Sequence, residues 1–169
     1  PAKAEHILGG VVNVEAVNRI EELVEDAVSK GAKLVAGSGK ARDGVLMDAT
    51  LLDHVTPAMR IYAEESFGPV CVVIRAGNED EAVRIANDSE YGLSSAVFST
   101  NIPRAMEVAK RIESGICHIN SPTVQDEAQM PFGGVKSSGY GRFGSQASID
   151  EFTEMRWITI QSGKRHYPF

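Results

Sequence analysis

Cysteine and histidine are the residue types that could make this chain a nucleophilic enzyme or a metal protein. The two cysteines, Cys71 and Cys117, each lie in an apolar run, and the four histidines show no metal-ligand spacing with either of them. A cysteine in such a run is most often a small buried hydrophobe in a reducing compartment. We therefore predict that both cysteines are buried, and that the chain has no zinc site.

A glycine pattern near the carboxyl end, Gly139-Tyr-Gly-Arg-Phe-Gly144, matches the G-x-G-x-x-G fingerprint of dinucleotide-binding turns. That fingerprint works only after a buried strand, before a helix, and with an acidic residue about 20 positions later. The preceding Lys-Ser-Ser is not a buried strand, and the 25 residues after Gly144 cannot complete a nucleotide fold. We interpret these glycines as positions where the backbone passes close to a neighbour or a ligand.

Composition excludes several classes of partner. The 169 residues are 43% hydrophobic and 24% charged, as in a soluble globular protein, and the net charge is −6. This charge disfavours nucleic acid and anionic membranes. No apolar run reaches about 18 residues, and no charged-then-apolar leader is visible, so we predict a cytoplasmic protein. Because the chain opens on Pro1, we also expect a processed or truncated product.

Hydrophobic periodicity predicts an α/β domain. Residues 14–30 form an amphipathic pattern that Asn13 can cap and Gly31 can end. Residues 33–36 and 45–52 indicate a hairpin or two neighbouring strands around a turn-rich stretch.

The middle of the chain alternates strand and helix patterns. Strands are predicted at residues 70–75, 95–99 and 116–119, and helices at 78–87 and 101–114. This order indicates parallel pairing with helical crossovers. Residues 120–144 are rich in glycine and lack periodicity, which is typical of a functional or interfacial loop. The pattern of residues Glu151 to Gln161 predicts a final strand.

Two segments carry a resemblance to a known family. Ala63-Glu-Glu-Ser-Phe-Gly-Pro-Val70 is similar to a segment of the aldehyde dehydrogenase superfamily, and Met130-Pro-Phe-Gly-Gly-Val-Lys-Ser-Ser-Gly139 resembles a second one. Residues 91–98 and 115–120 resemble family strands in family order, so the resemblance covers nearly the whole chain. It implies the parallel-sheet portion of an α/β catalytic domain over residues 1–150, then an oligomerisation strand and tail over 151–169.

The resemblance also implies a reaction. In that family a cysteine thiolate attacks an aldehyde, hydride passes to the nicotinamide of NAD or NADP, and water hydrolyses the thioester. The nucleophile and the nucleotide-binding domain lie upstream of the portion that this chain resembles. Neither Cys71 nor Cys117 is at a matching position, so we assign no catalytic residue and expect the chain alone to be inactive.

Binding residues follow from the same matches. Glu65 matches the glutamate that accepts hydrogen bonds from the nicotinamide ribose, and Phe67 matches an aromatic beside the nicotinamide. Phe132 matches an aromatic of the substrate pocket. The loop at the mouth of the substrate tunnel contributes Ser121, Thr123, Val124 and Gln125. The structural alternatives are that Glu65 is merely exposed and that both phenylalanines only pack.

The sequence of the glycine-rich segment resembles that of the salicylaldehyde and vanillin dehydrogenase branch, which oxidises aromatic aldehydes. One departure concerns Phe143, which stands where many members have a glutamate that assists proton movement. A phenylalanine transfers no proton, so that relay is in doubt here. The resemblance further implies a homo-oligomer formed through the terminal strand. The rival hypothesis is a naturally truncated module that binds partners without catalysis.

Overall fold

The computed structural model describes residues 8–168, which divide into two compact units between Ser89 and Glu90. No helix within residues 8–168 is long and apolar enough to cross a membrane. The elements of the first unit are, in chain order, α1 (Val14–Ser29), β1 (Lys33–Ala36), β2 (Ala41–Asp43), β3 (Leu46–Met47), β4 (Thr50–Asp53), α2 (Arg60–Ala63), β5 (Val70–Val73) and α3 (Glu79–Asn87).

Helix α1 supplies five buried side chains to the core of the first unit. The Asn13 side chain accepts a hydrogen bond from the Ala16 backbone N–H at 2.8 Å, and Gly31 follows the helix with a φ of 104°. Both end signals predicted from the sequence are therefore confirmed. The buried stripe of the helix consists of Val17, Ile20, Leu23, Val24 and Ala27.

The sheet of the first unit has the order β1-β4-β5. Strand β1 is antiparallel to β4, and β4 is parallel to β5. The predicted second extended piece, residues 45–52, is divided between β3 and β4, and β2 pairs with β3 in a small inner hairpin. The sheet is therefore mixed: β1 and β4 are antiparallel neighbours, and only the β4–β5 pair has the parallel direction expected of this portion.

Cys71 corrects the prediction that both cysteines are buried, because its side chain is exposed. Successive side chains of a strand point to opposite faces, and Val70 and Val72 of β5 pack against the core. Cys71 therefore lies on the other face of a strand at the edge of the described sheet. Cys117 is half-buried.

The second unit is built on a parallel strand pair. Its elements are β6 (Tyr91–Gly92), β7 (Ser94–Val97), α4 (Ile102–Ala109), β8 (Ile116–Ile119), β9 (Val135–Lys136) and α5 (Ser145–Phe152). Strand β7 pairs in parallel with β8, and α4 lies between them in sequence, so this crossover is confirmed. The predicted crossover from β5 to β7 through α3 stays a prediction. Strands β6 and β9 are antiparallel.

The carboxyl-terminal segment corrects another prediction. Residues 151 and 152 end α5, and residues 153–168 form neither helix nor strand. The expected strand from Glu151 to Gln161 is therefore wrong for this structure. A strand is stabilised by hydrogen bonds to a neighbour, and no ladder to residues 153–161 exists within the described part of the chain. Those residues are exposed along their whole length.

Candidate functional site

The segment between α2 and β5, residues 64–69, is held at both ends. The Arg60 guanidinium donates to both carboxylate oxygens of Glu64, at 2.8 and 3.0 Å. This hydrogen-bonded pairing is the main reason that the pKa of the Glu64 carboxyl is lowered. At the other end, the Thr50 backbone N–H donates to the Pro69 carbonyl at 2.8 Å. Glu64 is thus engaged within the unit.

Helix α1 supports the middle of the same segment. The Arg19 guanidinium donates to the backbone carbonyls of Glu65, at 2.8 Å, and of Ser66, at 2.7 Å. Gly68 lies so close to the helix that an added Cβ would fall 2.3 Å from Cδ1 of Ile20. The backbone of residues 65–68 therefore rests against α1.

The side chains of Glu65 and Phe67 are directed away from this support. The Glu65 side chain is exposed, and its carboxylate makes no hydrogen bond or ion pair with the described residues. Phe67 is 75% exposed and has a φ of 48°. A left-handed backbone costs about 1–2 kcal/mol for such a residue, and an exposed ring gains little from burial. Phe67 is therefore not a core side chain in this unit.

In chemical terms, this segment offers an acceptor and an apolar wall. A carboxylate with two unengaged oxygens can accept hydrogen bonds from both hydroxyls of a vicinal diol. An exposed aromatic face can lie against a flat ring. Both groups are fixed on a backbone that α1, α2 and β4 hold in place. The arrangement is suited to binding a ribose and its attached base.

Two clefts lie in the second unit, beside β7 and β8. The larger measures about 410 Å³ and the smaller about 250 Å³, and Phe132 and Gln125 line both of them. Thr123 and Val124 line the smaller cleft. Ser121 lines neither, but its hydroxyl is hydrogen-bonded to the Gln125 side chain. The structure thus brings four of the five predicted substrate residues to a cleft, and the fifth contacts one of them.

The loop that carries these residues is anchored where β8 ends. Asn120 has a φ of 58°, which asparagine tolerates better than most residues. Its side chain accepts from the Ser99 backbone N–H at 2.8 Å and donates to the Ser99 carbonyl at 2.9 Å. The Ser94 hydroxyl donates to the Thr123 carbonyl at 2.9 Å. The loop therefore leaves the strand pair in a defined direction.

The glycine-rich segment braces Phe132. The backbones of Phe132 and Phe143 exchange two hydrogen bonds of 2.8 Å each, and 59% of Phe143 is exposed. The Gly144 backbone passes so near Met130 that an added Cβ would fall 2.3 Å from the Met130 carbonyl oxygen. The interpretation as a close backbone approach is therefore confirmed for Gly144, whereas a Cβ added at Gly139 would meet no atom within 4 Å.

Sequence reasoning missed three residues that position the candidate groups: Arg19, Ser94 and Asn120. Arg19 lies on α1, 46 residues away from Glu65, so no local pattern signals the contact. Asn120 had a usable signal, because an asparagine directly after a strand favours a left-handed turn.

Known proteins resemble the chain along its length. Residues 1–158 match the aldehyde dehydrogenase family. A vanillin dehydrogenase of Pseudomonas sp. (strain HR199 / DSM 7063) is 60% identical over 168 residues, which are 99% of this chain and 34% of that protein. The chain therefore spans about a third of the length of that relative. The predicted resemblance to the salicylaldehyde and vanillin dehydrogenase branch is confirmed.

Solved structures agree with this match. A salicylaldehyde dehydrogenase from Pseudomonas putida G7, complexed with salicylaldehyde, is 54% identical with a TM-score of 0.90, over 99% of this chain and 34% of that one. An aldehyde dehydrogenase of Mycobacterium tuberculosis, complexed with NAD+, is 30% identical with a TM-score of 0.86, over 98% and 35%. An NADP-dependent glyceraldehyde-3-phosphate dehydrogenase of Bacillus halodurans C-125, complexed with NADP, is 40% identical with a TM-score of 0.81, over 87% and 30%. This chain belongs to the aldehyde dehydrogenase family.

Proposed function

We propose that this chain is the carboxyl-terminal part of an NAD(P)-dependent aldehyde dehydrogenase that oxidises an aromatic aldehyde to a carboxylic acid. Family membership supports the reaction class, and the vanillin and salicylaldehyde dehydrogenases support the aromatic substrate. The proposal rests on one observation. The segment between α2 and β5 is hydrogen-bonded to Arg19 and presents an unengaged Glu65 carboxylate and an exposed Phe67 ring.

The first unit contributes to cofactor binding in this proposal. The Glu65 carboxylate would accept hydrogen bonds from the two hydroxyls of the nicotinamide ribose. The Phe67 ring would form a wall that orients the nicotinamide and excludes water. A bound NAD or NADP supplies the hydride acceptor. The residues fit this group because Glu64 is already paired with Arg60, whereas Glu65 keeps its full acceptor capacity.

The second unit contributes to aldehyde binding. The lining of the larger cleft includes Met130 and Phe132 together with the polar residues Gln125, Asp126 and Glu127. A volume of about 410 Å³ lies within the usual range for small-molecule sites. Thr123 and Val124 line the smaller cleft, and Ser121 orients Gln125 through its hydrogen bond. The apolar residues of the larger cleft can pack against an aromatic ring.

Assembly and organisation complete the proposal. Five large apolar side chains between residues 152 and 160 are exposed, and we propose that residues 151–161 pair with a second copy. Residues 1–150 belong to the catalytic domain in this proposal, and residues 151–169 form the oligomerisation segment and tail. The five are Phe152, Met155, Trp157, Ile158 and Ile160.

The same exposed side chains favour a second candidate function, that of a module that only binds partners. A glycine-rich nucleotide fold and a cysteine encoded upstream of Pro1 would decide for the enzyme. The proposed location of the protein is the cytoplasm.

The substrate class can be tested on the full-length protein that contains this chain. We expect kcat/KM to be higher for benzaldehyde than for acetaldehyde, because an apolar cleft stabilises a bound ring. The isolated 169-residue chain is the negative control, and we expect it to reduce no NAD or NADP. Equal or reversed preference would refute the aromatic substrate and leave the family intact. Turnover by the isolated chain, lost when Cys71 or Cys117 is replaced, would refute the assignment of no catalytic residue.

A further inference from the structure

The Arg19 guanidinium has an unusual set of partners. It makes no ion pair with any described carboxylate, although α1 and its surroundings are rich in glutamate. Its two terminal nitrogens instead donate to two consecutive backbone carbonyls, those of Glu65 and Ser66, at 2.8 and 2.7 Å. The side chain is half-buried. A long cationic side chain therefore serves the backbone of one short segment.

This contact requires an arginine. The guanidinium is planar and holds several N–H donors in a fixed fork, so one side chain can bind two neighbouring acceptors at once. A lysine at the same position offers a compact ammonium on a flexible stem, which cannot reproduce the fork. Lysine thus keeps the charge and loses the geometry.

Arg19 binds the segment directly beside its one strained residue with little packing of its own. Phe67 has a left-handed backbone with a φ of 48°, and its exposed ring contributes little packing that could fix this conformation. The two carbonyls that Arg19 binds immediately precede this residue. Gly68 then packs against Ile20, on the same helix as Arg19. Helix α1 therefore constrains both sides of the strained position.

We propose that Arg19 is a positioning residue, which fixes the backbone of residues 65–67 so that the Glu65 carboxylate and the Phe67 ring are set for the cofactor before it binds. This inference rests on the proposed function of Glu65. Arg19 itself touches neither cofactor nor substrate in this account. Its contribution is to remove the conformational freedom that the segment would otherwise lose on binding.

Hydrogen exchange on the full-length protein without cofactor tests the structural half of the proposal. In Arg19→Ala, exchange of the Thr50 and Val70 amides, which donate to the Pro69 and Gly68 carbonyls, should rise about tenfold, while exchange in the rest of β4 and β5 stays unchanged. Arg19→Lys should give an intermediate increase. Arg84→Ala is the matched control, because Arg84 is another helical arginine of the first unit, 66% exposed and only weakly paired with Glu81 at 3.8 Å. Unchanged exchange in Arg19→Ala, or a uniform rise over the whole unit, would overturn the proposal.

A double-mutant cycle tests the functional half. Arg19→Ala should slow the burst of reduced cofactor about tenfold with a smaller change in cofactor Kd, and Glu65→Gln should slow it as well. If Arg19 acts through Glu65, the double variant should be hardly slower than Glu65→Gln alone. Multiplying effects would overturn the proposal, as would a normal burst in Arg19→Ala beside a slow one in Glu65→Gln. A normal burst in Glu65→Gln would instead overturn the proposed function and this inference with it.

Discussion

Two adjacent glutamates show how the same residue type takes different roles. Glu64 stands four residues after Arg60, and the two side chains form a hydrogen-bonded ion pair along α2. The carboxylate of Glu65 has no such partner among the described residues, and its backbone carbonyl is bound by Arg19. A motif match could point to Glu65, but only the structure shows that its carboxylate is unengaged.

Phe67 provides a prediction at the residue scale. In Phe67→Ala the melting temperature of the full-length protein should change by less than about 2 °C, because the ring is 75% exposed. Cofactor reduction should slow about tenfold, because the proposed nicotinamide wall is gone. Phe98→Ala is the matched control, since Phe98 is 70% exposed in the second unit, and its rate should stay normal. A large loss of melting temperature with a normal rate would show that Phe67 is a packing residue.

At the scale of elements, the sequence predicted those features that short-range physics determines. The helix at residues 14–30 was predicted to within one residue, because Asn13 and Gly31 are strong end signals. The start of α3 is fixed just as locally: the Asn78 side chain accepts from the Glu81 backbone N–H at 2.9 Å, and the Glu81 side chain accepts from the Gly77 backbone N–H at 2.7 Å. Such signals act over three or four residues and can be read locally.

Features that depend on distant contacts could not be predicted in this way. The exposure of Cys71 depends on which face of β5 meets the core, and a uniformly apolar run does not reveal that face. The terminal segment has a strand-like pattern, but a pattern does not supply the neighbour that a strand requires. The Arg19 contact spans 46 residues and could be found only in the folded chain.

Gly115 provides a prediction at the element scale. A Cβ added at Gly115 would fall 1.8 Å from the Gly133 carbonyl oxygen, and backbone cannot move aside as a flexible side chain can. Gly115→Ala should destabilise the protein by about 1–3 kcal/mol and raise the KM for the aldehyde, because the displaced Gly133 directly follows Phe132. Gly163→Ala meets no atom within 4 Å and is the control. Equal melting temperatures and KM values in the two variants would contradict the close approach.

At the scale of the whole molecule, the exposed carboxyl-terminal side chains predict an assembly. Trp157 is 89% exposed and Ile158 is 72% exposed, and apolar groups of this size are usually covered in a stable protein. In the full-length protein, replacing both by lysine should lower the mass measured by light scattering to that of a smaller species. Gln161→Lys adds a charge in the same segment without removing apolar surface, and it should leave the mass unchanged. A strictly monomeric mass for the wild-type protein in the same measurement would rule out this interface.

The central claim is that Glu65 orients the nicotinamide half of the cofactor for hydride transfer. It is tested most directly by the burst of reduced cofactor in stopped-flow experiments on the full-length protein, with ordinary and deuterated aldehyde. Glu65→Gln keeps the shape of the side chain but removes its charge and half of its acceptor capacity. Losing one or two charge-assisted hydrogen bonds of about 1.5–3 kcal/mol should slow the burst roughly tenfold to a few hundredfold.

The isotope effect on the burst should increase in Glu65→Gln, and cofactor Kd should change much less than the rate, because the adenine half is expected to bind upstream. Glu15→Gln is the matched control: it removes an exposed carboxylate in the first turn of α1 that makes no hydrogen bond to residues 64–69, and it should keep a fast burst. A slower, more isotope-sensitive burst in Glu65→Gln alone is the predicted result. An unchanged burst, or a loss confined to cofactor Kd, would contradict the claim.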